Sequence, residues 1–233
     1  MMPPLAAARP QAELYRIGRD PDTWTWPPWE YAGEDGTFGN RYDDPQGEYR
    51  VLYACSQRVG AFIETLARYR TDPAIVAAYE QIVVDPEDQD AFPTIPPGIV
   101  PADWRATRRI GTARHPGPFA DLGHSSSLAH LRIALASRLV HYGLDDLDGS
   151  ALRRRAPRAF TQELSRYVFE HASTASSEPV LGIRYLSRLG DDIENWAIFE
   201  GSDPHDTATD PITREDPDLA AALATLDLVF APE

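Results

Sequence analysis

Residues 180–186 read Val-Leu-Gly-Ile-Arg-Tyr-Leu and residues 193–199 read Ile-Glu-Asn-Trp-Ala-Ile-Phe, with Gly190-Asp191-Asp192 between them. Two apolar runs of strand length separated by a Gly/Asp turn predict an antiparallel hairpin. Working outward, Tyr49-Arg50-Val51-Leu52-Tyr53-Ala54 reads as another strand, and Leu14-Tyr15-Arg16-Ile17 alternates until Gly18 stops it. Residues 104–110 read as a further strand, and Phe119-Ala120-Asp121-Leu122 as the end of one more.

Helical periodicity fills the gaps. Val59, Phe62, Ile63 and Leu66 give one apolar face to a helix from residue 57 to about 70, with Ser56 as its N-cap. A short helix is expected at 74–80. Another carries Leu128, Leu131, Leu135 and Leu139 behind a cap in 125–127. A helix opened by Thr161 carries Leu164, Tyr167, Val168 and His171, and a last helix runs from 218 to about 230. Turns are expected at 93–101 and 143–149, and the acidic stretch 203–218 reads as solvated. Hairpins outnumber βαβ periods, so the expected class is α+β: a mixed, largely antiparallel sheet with flanking helices. No G-x-G-x-x-G follows a strand, which removes support for a Rossmann site. With 233 residues and no repeat or tether, one domain is expected, its core over about 13–200 and an acidic tail and helix over 201–233.

Composition excludes several function classes. The net charge of -14 disfavours binding to a phosphate backbone. All 22 basic residues are Arg, so neither a Schiff-base lysine nor a Walker lysine exists, and any anion must be held by Arg, His or backbone N–H groups. The single cysteine, Cys55, forms no internal disulfide, fits a reducing compartment and reads first as a small buried residue. No apolar run approaches a bilayer span and no secretory core precedes Glu13, so a cytoplasmic protein is expected. His115, His124, His130, His141 and His171 lack paired ligand spacing, and no metal site is expected. The Arg153-Arg154-Arg155 run reads as a solvated face. Residues 20–46 form a long loop rich in Trp, Tyr and Phe, expected to pack over something.

Five blocks in order carry a family signal. Gly39-Asn40-Arg41-Tyr42-Asp43-Asp44-Pro45, then Leu52-Tyr53-Ala54, then Glu64 on the next helix resemble the RES family, named for an Arg, a Glu and a Ser. Leu14-Tyr15-Arg16 resembles its opening strand, Gly182 to Ser187 its late strand, and Asn195-Trp196-Ala197-Ile198-Phe199 its closing strand. The chain departs from the usual pattern at Tyr42, at Asp43 where an Asn is usual, and at Leu186 where a Pro precedes the serine.

The resemblance implies a fold related to ADP-ribosyltransferases and an activity that consumes NAD by phosphorolysis or hydrolysis, with NAD as substrate, inorganic phosphate as a co-substrate and no resident cofactor. It implies Arg41, Glu64 and Ser187 as catalytic residues, with Arg16, Tyr53, Tyr42, Thr161 and Asn195 on the substrate. Thr161 is an alternative to Ser187 as the working hydroxyl. Breaking the nicotinamide–ribose bond builds positive charge on the ribose, which a fixed carboxylate stabilises, and guanidinium suits a pyrophosphate. Ordinary alternatives stand beside each role: surface ion pairs for Arg16 and Arg41, core packing for Tyr53, a solvent-facing Glu64, a turn hydroxyl at Ser187. Protein ADP-ribosylation and a non-catalytic binding module are the rival functions. A separate antitoxin partner and self-association are left open.

Overall fold

Backbone groups taken out of water need hydrogen-bond partners, and for the apolar runs above a sheet of eight strands provides them. The structure is a computed structural model that describes residues 4–81, 98–153, 157–172 and 178–232, with only the backbone of 79–80. In chain order the elements are β1 (Ala7–Ala8), β2 (Leu14–Arg19), β3 (Val51–Cys55), α1 (Arg58–Leu66), α2 (Pro73–Glu80), β4 (Gly98–Val100), β5 (Arg108–Arg114) and β6 (Phe119–Asp121). Then follow α3 (Ser125–Ala134), α4 (Ala136–His141), α5 (Gly149–Arg153), α6 (Arg158–His171), β7 (Gly182–Leu186), β8 (Glu194–Phe199), β9 (His205–Pro211), α7 (Pro217–Leu226) and β10 (Leu228–Phe230).

The large sheet runs β1-β6-β7-β8-β3-β2-β5-β9, and only β6 and β7 pair in parallel. The fold is α+β with a mixed, largely antiparallel sheet, as the hairpin pattern predicts. β8 is central, and its last five residues are all buried because apolar layers cover both faces. On one face Val51, Ile183, Ala197 and Phe199 meet Leu131, Leu135 and Leu139 of the α3–α4 segment and Leu164 and Val168 of α6. On the other, Leu14, Leu52, Trp196 and Ile198 pack with Trp24 from the long loop. A third cluster joins Phe62 and Leu66 of α1 to Leu219, Ala222 and Leu226 of α7. Each fully buried Leu or Phe contributes about 1.5–3 kcal/mol of transfer free energy.

The middle of the sheet is paired along the length of its strands except at one seam. β2 and β5 pair from Leu14↔Ala113 to Arg19↔Arg108, and β3 and β8 from Val51↔Phe199 to Cys55↔Asn195. Between β2 and β3 the only register pair is Tyr15↔Cys55. Beside that seam Arg16 Nη1 donates to the Tyr53 carbonyl at 2.9 Å, so a side chain satisfies a group that no ladder partner reaches.

Several elements differ from expectation. α1 starts at Arg58 behind Gln57, without a side-chain cap. Ser56 Oγ is committed elsewhere, donating to Glu194 Oε2 at 2.6 Å and accepting from Trp196 Nε1 at 2.8 Å. α1 ends at Leu66 and a 3-10 turn over Ala67–Tyr69 follows. α3 is capped by His124, whose ring nitrogen accepts from Ser126 N. α6 begins at Arg158, so Thr161 sits one turn inside. Residues 102–104 form a 3-10 turn and the strand expected from 104 starts at Arg108. The stretch 203–218 is not simply solvated: it contains edge strand β9, paired with β5, and the buried Asp216. The last helix stops at Leu226, and β10 pairs in parallel with β4. Residues 93–97 of the expected Pro-rich turn, and Arg154 and Arg155, lie outside the described residues.

Candidate functional site

The seam between β2 and β3 opens into a cavity of about 900 Å³. Its floor is one transverse row of side chains fixed by strand register: Tyr185 of β7 opposite Asn195 of β8, Asn195 opposite Cys55 of β3, and Cys55 opposite Tyr15 of β2. All four line the cavity. One wall is α1, which contributes Ala61, Glu64 and Thr65, extended by Arg68 of the 3-10 turn that follows it, and the other comprises Asn40 and Arg41 of the long loop with Pro157, Arg158 and Thr161 at the start of α6.

The electrostatics of this cavity invert those of the chain. Arg16, Arg41, Arg68, Arg158 and Arg188 line it, and Glu64 is the one carboxylate among the lining residues. Glu64 lies off the buried stripe of α1, which is Phe62, Ile63 and Leu66. Its Oε1 accepts from Asn195 Nδ2 at 2.7 Å, and Oε2 has no hydrogen bond among the described residues. Asn195 is 2% exposed and its Oδ1 accepts from the Cys55 thiol at 2.8 Å. Burial, and then the charge of Glu64, push the Cys55 thiol up, so it stays protonated.

Arg41 is held from behind, its guanidinium donating to the carbonyls of Leu152 at 3.2 Å and Arg153 at 3.5 Å. The loop segment that carries it is fixed by Asp43. That carboxylate, 3% exposed, accepts from Tyr53 Oη at 2.7 Å, Asn40 N at 2.6 Å and Asn40 Nδ2 at 2.8 Å. Tyr53 Oη in turn accepts from Tyr42 N at 3.0 Å. Burial raises Asp43 above the usual carboxylate range, against the three hydrogen bonds, and burial with the nearby Asp43 charge holds the Tyr53 phenol well up. Arg16 also donates to Thr23 O at 2.8 Å, and desolvation lowers its pKa to about 10, which leaves it charged at neutral pH.

The structure therefore brings Arg16, Arg41, Tyr53, Glu64, Thr161 and Asn195 to one cavity. Tyr53 lines it with its hydroxyl engaged by Asp43 and Tyr42 N of the loop. Thr161 Oγ1 donates to Arg158 O at 2.8 Å. Two expected residues are not in the lining. Tyr42 is 1% exposed and stands edge-on to Tyr185 at 4.7 Å, with burial pushing its phenol up to about 12. Ser187, also 1% exposed, accepts from Leu189 N at 2.9 Å, closing the turn that follows β7. Sequence reasoning missed Tyr185, Cys55, Asn40, Arg68, Arg158 and Arg188 as lining residues. For Tyr185 a signal existed, since period-2 alternation puts it on the face of Ile183; the arginines come from a helix end, a rim and a turn, where no pattern marks them.

Among the described residues no three His, Cys, Asp or Glu side chains gather as a metal site, and no helix is long and apolar enough to cross a membrane. The β2–β3 seam of the largely antiparallel sheet thus holds one carboxylate amid five guanidiniums. The model of the RES domain matches residues 13–222, and the chain belongs to that family. No curated protein matches the chain.

Proposed function

We propose that the protein consumes NAD by breaking the bond between nicotinamide and ribose. The observation that carries the reading is the convergence of Glu64 with Arg16 and Arg41 in one cavity at the sheet seam. NAD pairs a pyrophosphate with a pyridinium-substituted ribose. In the proposed pose the arginines take the pyrophosphate by charge-assisted hydrogen bonds and the ribose lies by Glu64. The C–N bond breaks with its electron pair going to the ring nitrogen, so nicotinamide departs neutral and positive charge grows on the ribose. A carboxylate fixed beside that carbon stabilises the charge more in the transition state than in the ground state. An oxygen of phosphate or water then bonds to the same carbon, giving ADP-ribose 1-phosphate or, after loss of a proton from water, ADP-ribose.

Family membership supports the same reading, because RES domains are linked to NAD-related toxins, and from it we further propose a growth-arresting protein restrained by a separate antitoxin in the cytoplasm. The test is incubation with NAD labelled in the ADP-ribose portion, with and without phosphate. Free labelled ADP-ribose or its 1-phosphate is expected. Label retained on protein would move the reading to ADP-ribosylation of a protein, and intact NAD would overturn it.

A further inference from the structure

Cys55 has an unusual place for a residue without nucleophilic character: it sits in the cavity floor, two hydrogen bonds removed from the reacting carboxylate. Register puts Cys55 and Asn195 side by side on β3 and β8. The thiol donates to Asn195 Oδ1 at 2.8 Å, and Asn195 Nδ2 donates to Glu64 Oε1 at 2.7 Å. An amide has a donor end and an acceptor end, while an ionised carboxylate only accepts. The amide therefore has one correct orientation, with nitrogen toward Glu64. A flipped amide would set oxygen against oxygen.

The group at the far end locks that orientation from the other side. A protonated thiol there supplies a donor, and at 4% exposed it is largely shielded from solvent. An apolar residue would leave Oδ1 buried and unpaired, so that the amide could rotate and the carboxylate would lose its anchor. We infer that Cys55 is a positioning residue for Glu64: its thiol locks the Asn195 amide, which holds Oε1 and leaves Oε2 to face the ribose. This rests on the reading of Glu64 as the carboxylate that meets the developing charge.

Two measurements on Cys55→Ala and Cys55→Ser separate the inference from that reading. The first is the side-chain NH2 signal of Asn195 in ¹H–¹⁵N spectra, assigned by its loss in Asn195→Ala. In wild type the pair is expected in a shifted, slowly exchanging position set by the carboxylate. C55A moves it toward the free-amide position and C55S, which keeps a donor, leaves it near wild type. The second is NAD turnover, where C55A is expected to lower kcat about tenfold, the effect of one lost buried hydrogen bond, with KM changed less than about twofold. C55S recovers most of that loss. If the alanine cavity lowers the melting temperature, Cys55→Val gives the same comparison with the volume filled. An Asn195 signal in C55A that coincides with wild type overturns the inference, as does a wild-type kcat in C55A or a C55S as impaired as C55A. Wild-type protein that leaves NAD intact defeats the functional reading instead, and the amide signal still decides the role of Cys55.

Discussion

Glu64 and Arg41 stand on opposite walls of the cavity and are held by opposite means. Glu64 rides on a regular helix whose buried face is packed against α7, and the Arg58 guanidinium ties that helix to Asp216 at 2.5 Å and Asp218 at 2.7 Å. Arg41 rides on a loop with no regular structure beyond a 3-10 turn at Trp29–Tyr31. That loop is stapled at points: Trp24 is buried on the sheet, Trp29 lies under Arg50 and beside Phe38, and Asp43 receives three hydrogen bonds. Packing spread over many contacts tolerates the loss of any one. A position fixed by a few hydrogen bonds does not. The helix beneath Glu64 should therefore be robust in place and the loop beneath Arg41 sensitive, although the Glu64 carboxylate itself still depends on its hydrogen bond from Asn195.

The largest effects should come from the charges themselves and should differ in kind. Glu64→Gln keeps shape and removes charge that matters only as the bond breaks; a fall in kcat of about 10³-fold with little change in KM is expected. Arg41→Ala removes a contact made before and during the reaction, and a loss of about a hundredfold in kcat/KM, much of it in KM, is expected. Steady-state kinetics with NAD reads both. An Arg41→Ala protein that loses only kcat would break the division between a wall that binds and a wall that reacts.

Asp43→Ala comes next, since it touches no ligand and only releases the loop. Tyr53 Oη, Asn40 N and Asn40 Nδ2 lose their acceptor together, and the loss is expected to raise KM about tenfold while the fold persists at a cost of about 1–3 kcal/mol. Asp43→Asn keeps an acceptor for Tyr53 and should restore most of the affinity. Equal KM in wild type and Asp43→Ala would show that Arg41 is held without the loop's hydrogen bonds.

The same contrast explains how far the sequence could be read. Elements whose identity is written in local pattern were legible: the β7–β8 hairpin from its apolar runs and turn, α1 from its stripe, and Glu64 as a residue beside that stripe. β9 was hidden because an edge strand with one row of mostly exposed residues, reading His-Asp-Thr-Ala-Thr-Asp-Pro, needs no apolar alternation. Ser56 was misread as a cap because local sequence cannot reveal that Trp196 and Glu194, about 140 positions away, compete for its hydroxyl. The Tyr185–Asn195–Cys55–Tyr15 row depends on the pairing of four strands, a property of register and not of spacing. The family resemblance reached Arg16, Arg41, Tyr53 and Glu64, and it reached Asn195 without saying that both ends of its amide are already engaged.

The support behind the carboxylate wall can be loosened without touching the ligand. Asp216 caps α7 through Asp218 N and Leu219 N while pairing with Arg58, and that pairing lowers its pKa against burial, which acts to raise it. Asp216→Asn keeps a capping oxygen but loses the ion pair, with an expected cost of about 0.5–1 kcal/mol because Arg58 is partly exposed. Asp216→Ala loses both, at about 2 kcal/mol. A depressed carboxylate contributes stability that is fully present above its unfolded pKa, near about 4, and is lost as pH falls through the lower folded value. Urea denaturation should therefore show wild type and Asp216→Asn separated at pH 7 and converging below about pH 4. At pH 7 and saturating NAD, kcat should stay close to wild type in both, since distributed packing keeps α1 in place. A large fall in kcat in a folded Asp216→Asn protein would erase the contrast between the walls.

The smallest effect is expected at Ser187, where the family pattern and the geometry point different ways. The pattern gives this hydroxyl a part in the chemistry. In the structure Oγ accepts from Leu189 N, the Ser187 amide donates to Ile193 O, and the cavity is reached instead by its neighbours Tyr185 and Arg188. On the geometry, Ser187→Ala removes one turn hydrogen bond and shifts a rim guanidinium, so KM should rise about two- to threefold with kcat intact, at about 1 kcal/mol of stability. On the pattern, kcat should fall as steeply as in Glu64→Gln. A collapse of kcat would place a reacting group on a turn held by single hydrogen bonds, and the reacting wall would no longer be the one secured by packing.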